Sequence, residues 1–268
     1  MIEIGNTVAL LALLGWPLVV VLLFRTLSIE RALIWSILGG YMLLPQLSAI
    51  NLPGAPALNK ETIPNLTAFA ACLVLWGRMP RLLPEGWVGR LLLILFIVSP
   101  GITVINNLEA VRFGVDRFGT MVLVDPNALE VWSLPGLRAY DSVSAVVQQI
   151  FLMLPFFLAR EVLRTEAALR EVVLALVIGM AIYTLPMLYE VRFSPQLHTR
   201  LYGFFQHDFA QAMRNGGFRP FVFMPHGLWV AFFAFMVAMA AAARLRESPA
   251  TTSGKRMLFL GFAGGLVV

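Results

Sequence analysis

The amino-acid sequence predicts an all-α fold, a polytopic bundle of transmembrane helices. Of its 268 residues, 59% are hydrophobic and 13% are charged, whereas roughly a quarter of the residues are charged in a soluble domain. The mean hydropathy is +0.80. The apolar residues form runs long enough to cross a hydrocarbon core, which takes roughly 20 residues of helix. Basic residues collect in short connections between these runs, as they do in membrane proteins.

Seven apolar runs predict seven complete spans, and an eighth run begins near the end of the chain. The third and fourth runs are short and need their flanking residues to cross. The chain ends inside the eighth run, so we expect a single transmembrane domain over 1–268 that is the N-terminal portion of a longer protein. The runs are approximately Thr7 to Phe24, Ala32 to Ile50, Ile63 to Trp76, Leu91 to Ile105, Ser142 to Ala159, Val172 to Leu188, Phe221 to Ala243, and Met257 to the end at Val268.

The first run is interpreted as a retained helix and not as a secretory signal. The residues that precede it, MIEIGN, carry an acid and no Lys or Arg. A signal peptide has a basic start and a cleavage site with small residues, whereas Arg25 follows this run.

The distribution of basic residues predicts the orientation. The first, third, fifth and seventh connections are short and hold more Lys and Arg than the longer second, fourth and sixth. Basic residues are retained on the cytoplasmic side, so we expect the N-terminus outside. Two long external loops follow from this, at about 106–141 and 189–220.

Composition also argues against several kinds of ligand. A formal charge of +5 and a pI near 9.9 suggest nucleic acid in a soluble protein, but here the charge lies in loops between spans. We therefore expect no nucleic acid partner. Cys72 is the only cysteine and lies in an apolar run, so neither an intrachain disulfide nor a cysteine metal site is available. No pattern predicts a metal or a cofactor.

The stretch from Tyr189 to His226 is where polar chemistry collects. Apolar residues recur every fourth position from Leu201 to Met213, which predicts an amphipathic surface helix that the pair Gly216-Gly217 ends. Arg219-Pro220 then predicts the start of the seventh span, because proline is tolerated in the first helical turn. The stretch holds all three histidines, His198, His207 and His226, and the arginines Arg192, Arg200, Arg214 and Arg219.

An arginine beside the N-terminus of a span predicts an anion site. The positive end of the helix dipole attracts a phosphate, and the planar guanidinium binds two of its oxygens at once. Arg214 and Arg219 are the main candidates for phosphate binding. For Arg192 and Arg200 the alternative is contact with lipid headgroups. Of the histidines, His226 is the best placed to act as an acid or base beside such a phosphate.

The residues RNGGFRPFVFMPHGLWVAFF, with YEVRFSPQLH upstream, resemble the O-antigen polymerase and ligase family, in particular uncharacterised polytopic proteins of exopolysaccharide loci. The family pattern has an arginine, a glycine three residues later, and a polar or proline-containing step into the next span. Arg214 with Gly217 fits the first part, and Arg219 with Pro225 and His226 fits the second. The two registers exclude each other.

The resemblance implies a glycosyltransferase of the bacterial inner membrane. It would act on undecaprenyl-pyrophosphate-linked glycans without a cofactor, beside other membrane proteins of polysaccharide assembly. Arg214 and Arg219 would hold the phosphates, and His226 or Glu190 would activate the acceptor. The alternatives are a transporter or flippase for an anionic lipid or polysaccharide, which would use the same arginines, and a structural subunit of an export complex.

Overall fold

The structure is a computed structural model that describes residues 5–51, 56–77, 79–115, 121–123, 132–214 and 216–247. These residues form eight α-helices, a π-helical turn that continues α3, and a 3₁₀ turn. The α-helices are α1 Thr7–Thr26, α2 Ile29–Leu43, α3 Thr62–Ala71, α4 Trp87–Ile105, α5 Ala139–Val162, α6 Glu166–Phe193, α7 Leu197–Tyr202 and α8 Gly227–Glu247. The π-helical turn is Cys72–Trp76 and the 3₁₀ turn is Phe209–Ala212.

Short strands lie in the connections between helices. β1 pairs with β2 and β6 with β7, while β3 to β5 form a three-stranded sheet in the order β4-β3-β5, and all pairs are antiparallel. The framework is therefore helical, and the prediction of an all-α class is confirmed. The strands are β1 Ala49–Ile50, β2 Leu58–Asn59, β3 Val111–Val115, β4 Met121–Leu123, β5 Trp132–Leu134, β6 Met213–Arg214 and β7 Gly217–Phe218.

Five of the helices are long and apolar enough to cross a membrane, namely α1, α4, α5, α6 and α8. The second and third predicted spans correspond to α2 and to α3 with its π-helical turn, which are shorter. Seven complete spans thus stay a prediction. The eighth run lies outside the described residues.

The contacts divide the chain into two compact units, and α5 contributes to both. The first unit takes in residues 1–53, 57–81 and 152–268, and the second takes in 54–56 and 82–151. In the second unit α4 and α5 pack closely at Gly101, where Ser142 Oγ donates to the Gly101 carbonyl at 3.0 Å. A Cβ at Gly101 would lie 2.8 Å from a Val146 methyl carbon, so the close approach requires glycine.

The first unit has its largest core where α6 packs on α2 and α8. Tyr183 and Phe233 meet edge to face there, with their ring centroids 6.5 Å apart. Glycines bring helices close elsewhere in the unit, since a Cβ at Gly40 would lie 2.5 Å from the Pro64 ring. Such small-residue contacts suit helices in lipid, where packing rather than expulsion of water drives association.

The helix termini of the first unit collect at two ends. At one end, Asn6 N donates to the Tyr202 carbonyl and Gln46 N donates to His198 Nε2, both within 3.1 Å. The start of α1, the α2–α3 connection and the α6–α8 connection therefore meet at what we term the site end. At the opposite end, Arg31 pairs with Glu171 at 2.7 Å and joins the starts of α2 and α6.

Candidate functional site

The α6–α8 connection is less helical than the sequence predicts. The amphipathic helix predicted from Leu201 to Met213 is wrong, because α7 ends at Tyr202 and the chain turns at Gly203, whose φ is +89°. The apolar side chains of this segment pack on different neighbours instead of sharing one helical face. The ring of Phe205, for example, packs against Phe221, with centroids 5.5 Å apart.

The last helix also starts later than predicted. The interpretation of Arg219-Pro220 as the start of the seventh span is wrong, since α8 begins at Gly227. His226 caps this helix, as its Nδ1 accepts from the backbone N–H of Leu228 at 3.0 Å. The residues before it, Phe221 to Met224, form a non-helical segment that we term the buried turn. Phe221, Val222 and Met224 are all 0% exposed.

The N–H groups of the buried turn are held by side chains of α6. Glu190 accepts from Phe221 N at 2.8 Å and from Val222 N at 2.7 Å through one carboxylate oxygen. Its other oxygen accepts from Leu197 N at 3.0 Å, and Tyr183 Oη accepts from Phe223 N at 2.9 Å. Irregular backbone in a buried segment requires such partners, because no water reaches its polar groups.

The carbonyl groups of the buried turn are held from two other parts of the chain. Gln206 Nε2 donates to the carbonyls of Val222 and Met224 at 3.0 and 3.1 Å. Lys60 Nζ, from the α2–α3 connection, donates to the Phe223 carbonyl at 2.5 Å. These contacts hold Val222 at a φ of +52°, a conformation that β-branched residues rarely adopt.

The geometry of Glu190 favours a structural role over the acceptor activation that the family resemblance implies. Its side chain is buried, with the residue only 1% exposed, and both carboxylate oxygens accept backbone N–H groups. A glycan hydroxyl could reach it only if the buried turn opened. We therefore assign no chemical step to Glu190.

Lys60 is a residue of this end that the sequence did not single out. It is 4% exposed, and its Nζ lies 5.7 Å from the centroid of the Tyr41 ring. Burial lowers the pKa of Lys60 to about 7, although neighbouring Glu61 opposes the shift. A lone lysine in a polar connection is ordinarily solvated, so no signal in the sequence distinguishes it.

His198 is a structural histidine. It is 1% exposed, its Nε2 accepts from Gln46 N at 3.1 Å, and its Nδ1 lies 2.8 Å from the Phe204 carbonyl, which requires the proton on Nδ1. Burial lowers the pKa of His198 to about 4, so the ring is neutral. It ties the α2–α3 connection to the α6–α8 connection.

His207 and His226 form a pair at the start of α8, with ring centroids 4.6 Å apart. Nδ1 of His207 accepts from Asp208 N at 2.7 Å, and Nδ1 of His226 accepts from Leu228 N. In its neutral form each ring would therefore carry its proton on Nε2, and Nε2 of His226 lies 3.4 Å from Gln211 Oε1, which can accept that proton's hydrogen bond. A metal bound at Nε2 would need the proton on Nδ1, where a backbone donor already points, so the pair suits an anion better than a cation.

Arg219 lies where the sequence predicts an anion site. It is half-buried, and its side chain runs along the first residue of α8, because a Cβ at Gly227 would lie 1.9 Å from Arg219 Cδ. The residue is anchored by its backbone N–H, which donates to the Ala212 carbonyl at 2.8 Å. Arg219 and His226 thus meet at the N-terminus of α8.

The other candidate arginines have different surroundings. Arg214 pairs with Gly217 through its backbone in β6 and β7, and its side chain is outside the described residues. Arg200 donates to Tyr189 Oη and, at 3.0 Å, to Gln196 Oε1. The exposed guanidinium of Arg192 lies 5.4 Å from the centroid of the Phe193 ring. Arg200 is thus held by neighbours on α6 and α7.

These features define a helical membrane protein with a polar site end. No family model, no curated protein and no solved structure matches the chain. The resemblance to the O-antigen polymerase and ligase family therefore rests on the residues that carry it, and the function below is a proposal.

Proposed function

We propose that this protein is a multi-pass protein of the bacterial inner membrane that polymerises or ligates glycans carried on undecaprenyl pyrophosphate. Besides the family resemblance, one observation supports this proposal: Arg219 lies along Gly227 at the N-terminus of α8. A guanidinium at the positive end of a helix dipole is suited to an anion as highly charged as a pyrophosphate.

The capping of α8 determines which groups would contact the phosphates. His226 already satisfies the N–H of Leu228, so free backbone donors are fewer than at an uncapped helix. Side chains take their place: Arg219 supplies a fork of N–H groups, and His226 would supply Nε2–H once a phosphate oxygen replaced Gln211 Oε1, which lies 3.4 Å from that nitrogen. Arg214 is proposed as a further phosphate ligand only because it fits the family pattern.

In the proposed reaction an acceptor hydroxyl attacks the anomeric carbon of the lipid-linked sugar, and the bond from that carbon to the pyrophosphate oxygen breaks. The hydroxyl proton passes to the departing pyrophosphate, which leaves as undecaprenyl pyrophosphate. Negative charge grows on the departing pyrophosphate, where Arg219 would stabilise it. His226 would donate a hydrogen bond to a phosphate oxygen instead of removing the acceptor proton, because its Nδ1 lone pair is committed to the helix cap.

The test is glycan transfer by the full-length protein in membranes supplied with a lipid-linked saccharide. We expect Arg219→Ala to lower the rate of undecaprenyl pyrophosphate release by about a hundredfold or more, the usual cost of removing a donor to a developing anion. Arg219→Lys should retain part of the rate, since it keeps the charge but loses the fork. Arg164→Ala, an exposed arginine at the opposite end, is the control and should leave the rate unchanged.

Two results would overturn the proposal. The first is transfer at the wild-type rate by Arg219→Ala. The second is movement of the lipid-linked saccharide across a bilayer by purified protein without release of undecaprenyl pyrophosphate, which is the behaviour of a transporter or flippase.

A further inference from the structure

A groove separates α1 from α3 in the half of the first unit away from the site end. Pro17 and Val21 of α1 line one wall, and Thr67, Ala70 and Val74 line the other. The groove has a volume of about 370 Å³, within the range of about 300–1,000 Å³ found for ligand pockets. Its walls are apolar, because Thr67 Oγ1 is already bonded to the Ile63 carbonyl at 2.7 Å.

The groove is open because its α3 wall is built from small residues. Ala70 is exposed and lies between Thr67 and Val74, and the π-helical turn that begins at Cys72 changes the helical register below it. Larger side chains on both helices, such as Trp16 and Ile63, pack together on another face of the same pair. The gap thus lies beside a well-packed contact and is not a sign of loose packing of the whole pair.

Arg25 stands at the mouth of the groove, in the last turn of α1. Two other arginines at this end of the unit, opposite the site end, form ion pairs: Arg31 contacts Glu171 and Arg170 contacts Glu166, both at 2.7 Å. Within the described ranges, no carboxylate lies within ion-pair distance of Arg25. Among the described residues, this exposed arginine above an apolar groove therefore has no carboxylate to offset its positive charge.

We infer that this groove binds an anionic phospholipid of the surrounding bilayer, with an acyl chain along α1 and α3 and the headgroup phosphate on Arg25. The acyl chain needs an apolar channel, which the groove provides. The phosphate needs a cation at the membrane surface, and Arg25 lies at that depth because the 20 residues of α1 match the thickness of a bilayer. The guanidinium fork binds the phosphate oxygens, and the headgroup of an anionic lipid such as phosphatidylglycerol has no ammonium group to offset the phosphate charge and repel Arg25.

The position of Arg25 distinguishes this lipid from the proposed substrate. Arg25 lies about 27 Å along α1 from the helix start that meets α7, at a rise of 1.5 Å per residue. A headgroup on Arg25 is thus at the other membrane surface from Arg219 and His226. The inference does not depend on the proposed function, and either can fail without the other.

The experiment measures the lipids retained by the full-length protein after extraction from vesicles of phosphatidylglycerol and phosphatidylethanolamine in equal amounts. Native mass spectrometry gives the ratio of the two lipids bound. We expect the wild-type protein to retain phosphatidylglycerol in excess, and Arg25→Gln to lower that excess about fivefold, as expected for loss of one basic contact at a membrane surface. Ala70→Trp should fill the groove and release the retained lipid.

Controls separate this site from general attraction to anionic lipid. Arg164→Gln removes the charge of another exposed arginine at the same end but away from the groove, and should leave the lipid ratio unchanged. Ala243→Trp adds the same bulk on the exposed face of α8 and should retain the lipid. An unchanged ratio in Arg25→Gln, or full retention in Ala70→Trp, would overturn the inference.

Discussion

At the scale of single residues, Glu190 shows how a polar group can be required by the fold without taking part in chemistry. Its carboxylate has no cation against it among the contacts of the described residues, and instead gathers three backbone N–H groups from two segments. Buried polar groups are tolerated when their hydrogen bonds are made, and are costly when a partner is removed. Glu190 therefore fixes the path of the chain at both ends of the α6–α8 connection.

Substitution of Glu190 should lower stability in a graded way. Glu190→Ala leaves two buried N–H groups and one partly buried N–H group unpaired, at about 1–3 kcal/mol for each buried group, so we expect a loss of about 3 kcal/mol or more in the free energy of unfolding. Glu190→Gln retains one oxygen but turns an amide N–H₂ towards a backbone donor, so the loss is smaller, about 1–3 kcal/mol. The midpoint of thermal unfolding in detergent measures both.

Glu166→Gln is the matched control on the same helix. Its carboxylate is 79% exposed and forms an i,i+4 ion pair with Arg170, so the variant should change the stability by less than about 0.5 kcal/mol. If Glu190→Gln unfolds at the wild-type temperature but loses transferase activity, the structural assignment fails and a chemical role for Glu190 returns.

The residue types in the sequence suggest candidate site residues but do not show which polar side chains are buried. Arg219 and His226 are candidates that the sequence predicts, because both lie beside the start of an apolar run, but the capping of α8 by His226 is visible only in the structure. Lys60 and Gln206 could not be predicted from the sequence, since each depends on carbonyls of the buried turn that are far away in sequence. The role of a hydrogen-bond donor is visible only once its acceptor has been placed.

At the scale of elements, the buried turn is held by three parts of the chain. It receives hydrogen bonds from α6, from the segment after α7 and from the α2–α3 connection. Only Pro225 and His226 separate the apolar residues at 221–224 from α8, so hydropathy averaged along the chain predicts one long span there. The side-chain partners of the turn hold residues 221–224 out of the helix, so α8 starts late at Gly227, a tertiary effect that helical periodicity does not predict.

The pKa of Lys60 couples the buried turn to pH. It falls from 10.5 in an exposed lysine to about 7 in the folded protein, chiefly because of burial. Between these values the unfolded chain holds a proton that the folded chain lacks, so stability should rise with pH, by up to about 1.4 kcal/mol per pH unit. Below pH 7 both states are protonated and the contribution of Lys60 is constant.

Lys60→Met isolates this contribution, because methionine has a similar length and no charge. We expect the unfolding midpoint of the wild-type protein to rise between pH 7 and pH 9 relative to that of Lys60→Met, and the difference to be constant between pH 5.5 and pH 6.5. Parallel pH profiles over the whole range would show that Lys60 keeps its ordinary pKa and lies in contact with water.

At the scale of the whole molecule, the alternation of charge along the sequence agrees with the two ends of the first unit. Arg31 and Glu171 lie at one end, and Gln46 and His198 at the other, as expected if odd and even connections lie on different sides. The order of apolar runs thus predicts that these connections lie at different ends, while the number of complete spans and the orientation stay predictions. Periodicity and charge do not predict the strands, because most of these are too short to show an alternating pattern.

Chemical labelling tests both this arrangement and the proposed orientation. Cys72 is buried and can be replaced by alanine, so single cysteines can then be introduced at exposed positions. Glu61→Cys and Thr199→Cys lie at the site end, and Ser28→Cys lies at the opposite end. With the N-terminus outside, a membrane-impermeant maleimide should label the first two in intact cells and the third only after permeabilisation.

The labelling pattern distinguishes a reversed orientation in the membrane from a wrong arrangement of the connections, because the two are independent of each other. Labelling of Glu61→Cys and Thr199→Cys only after permeabilisation would reverse the orientation while leaving the site end intact. The proposed glycan transfer would then lose its external location, since Arg219 would face the cytoplasm. Labelling of these two positions from different sides would contradict the contact between the α2–α3 and α6–α8 connections, and with it the buried turn that both of them hold.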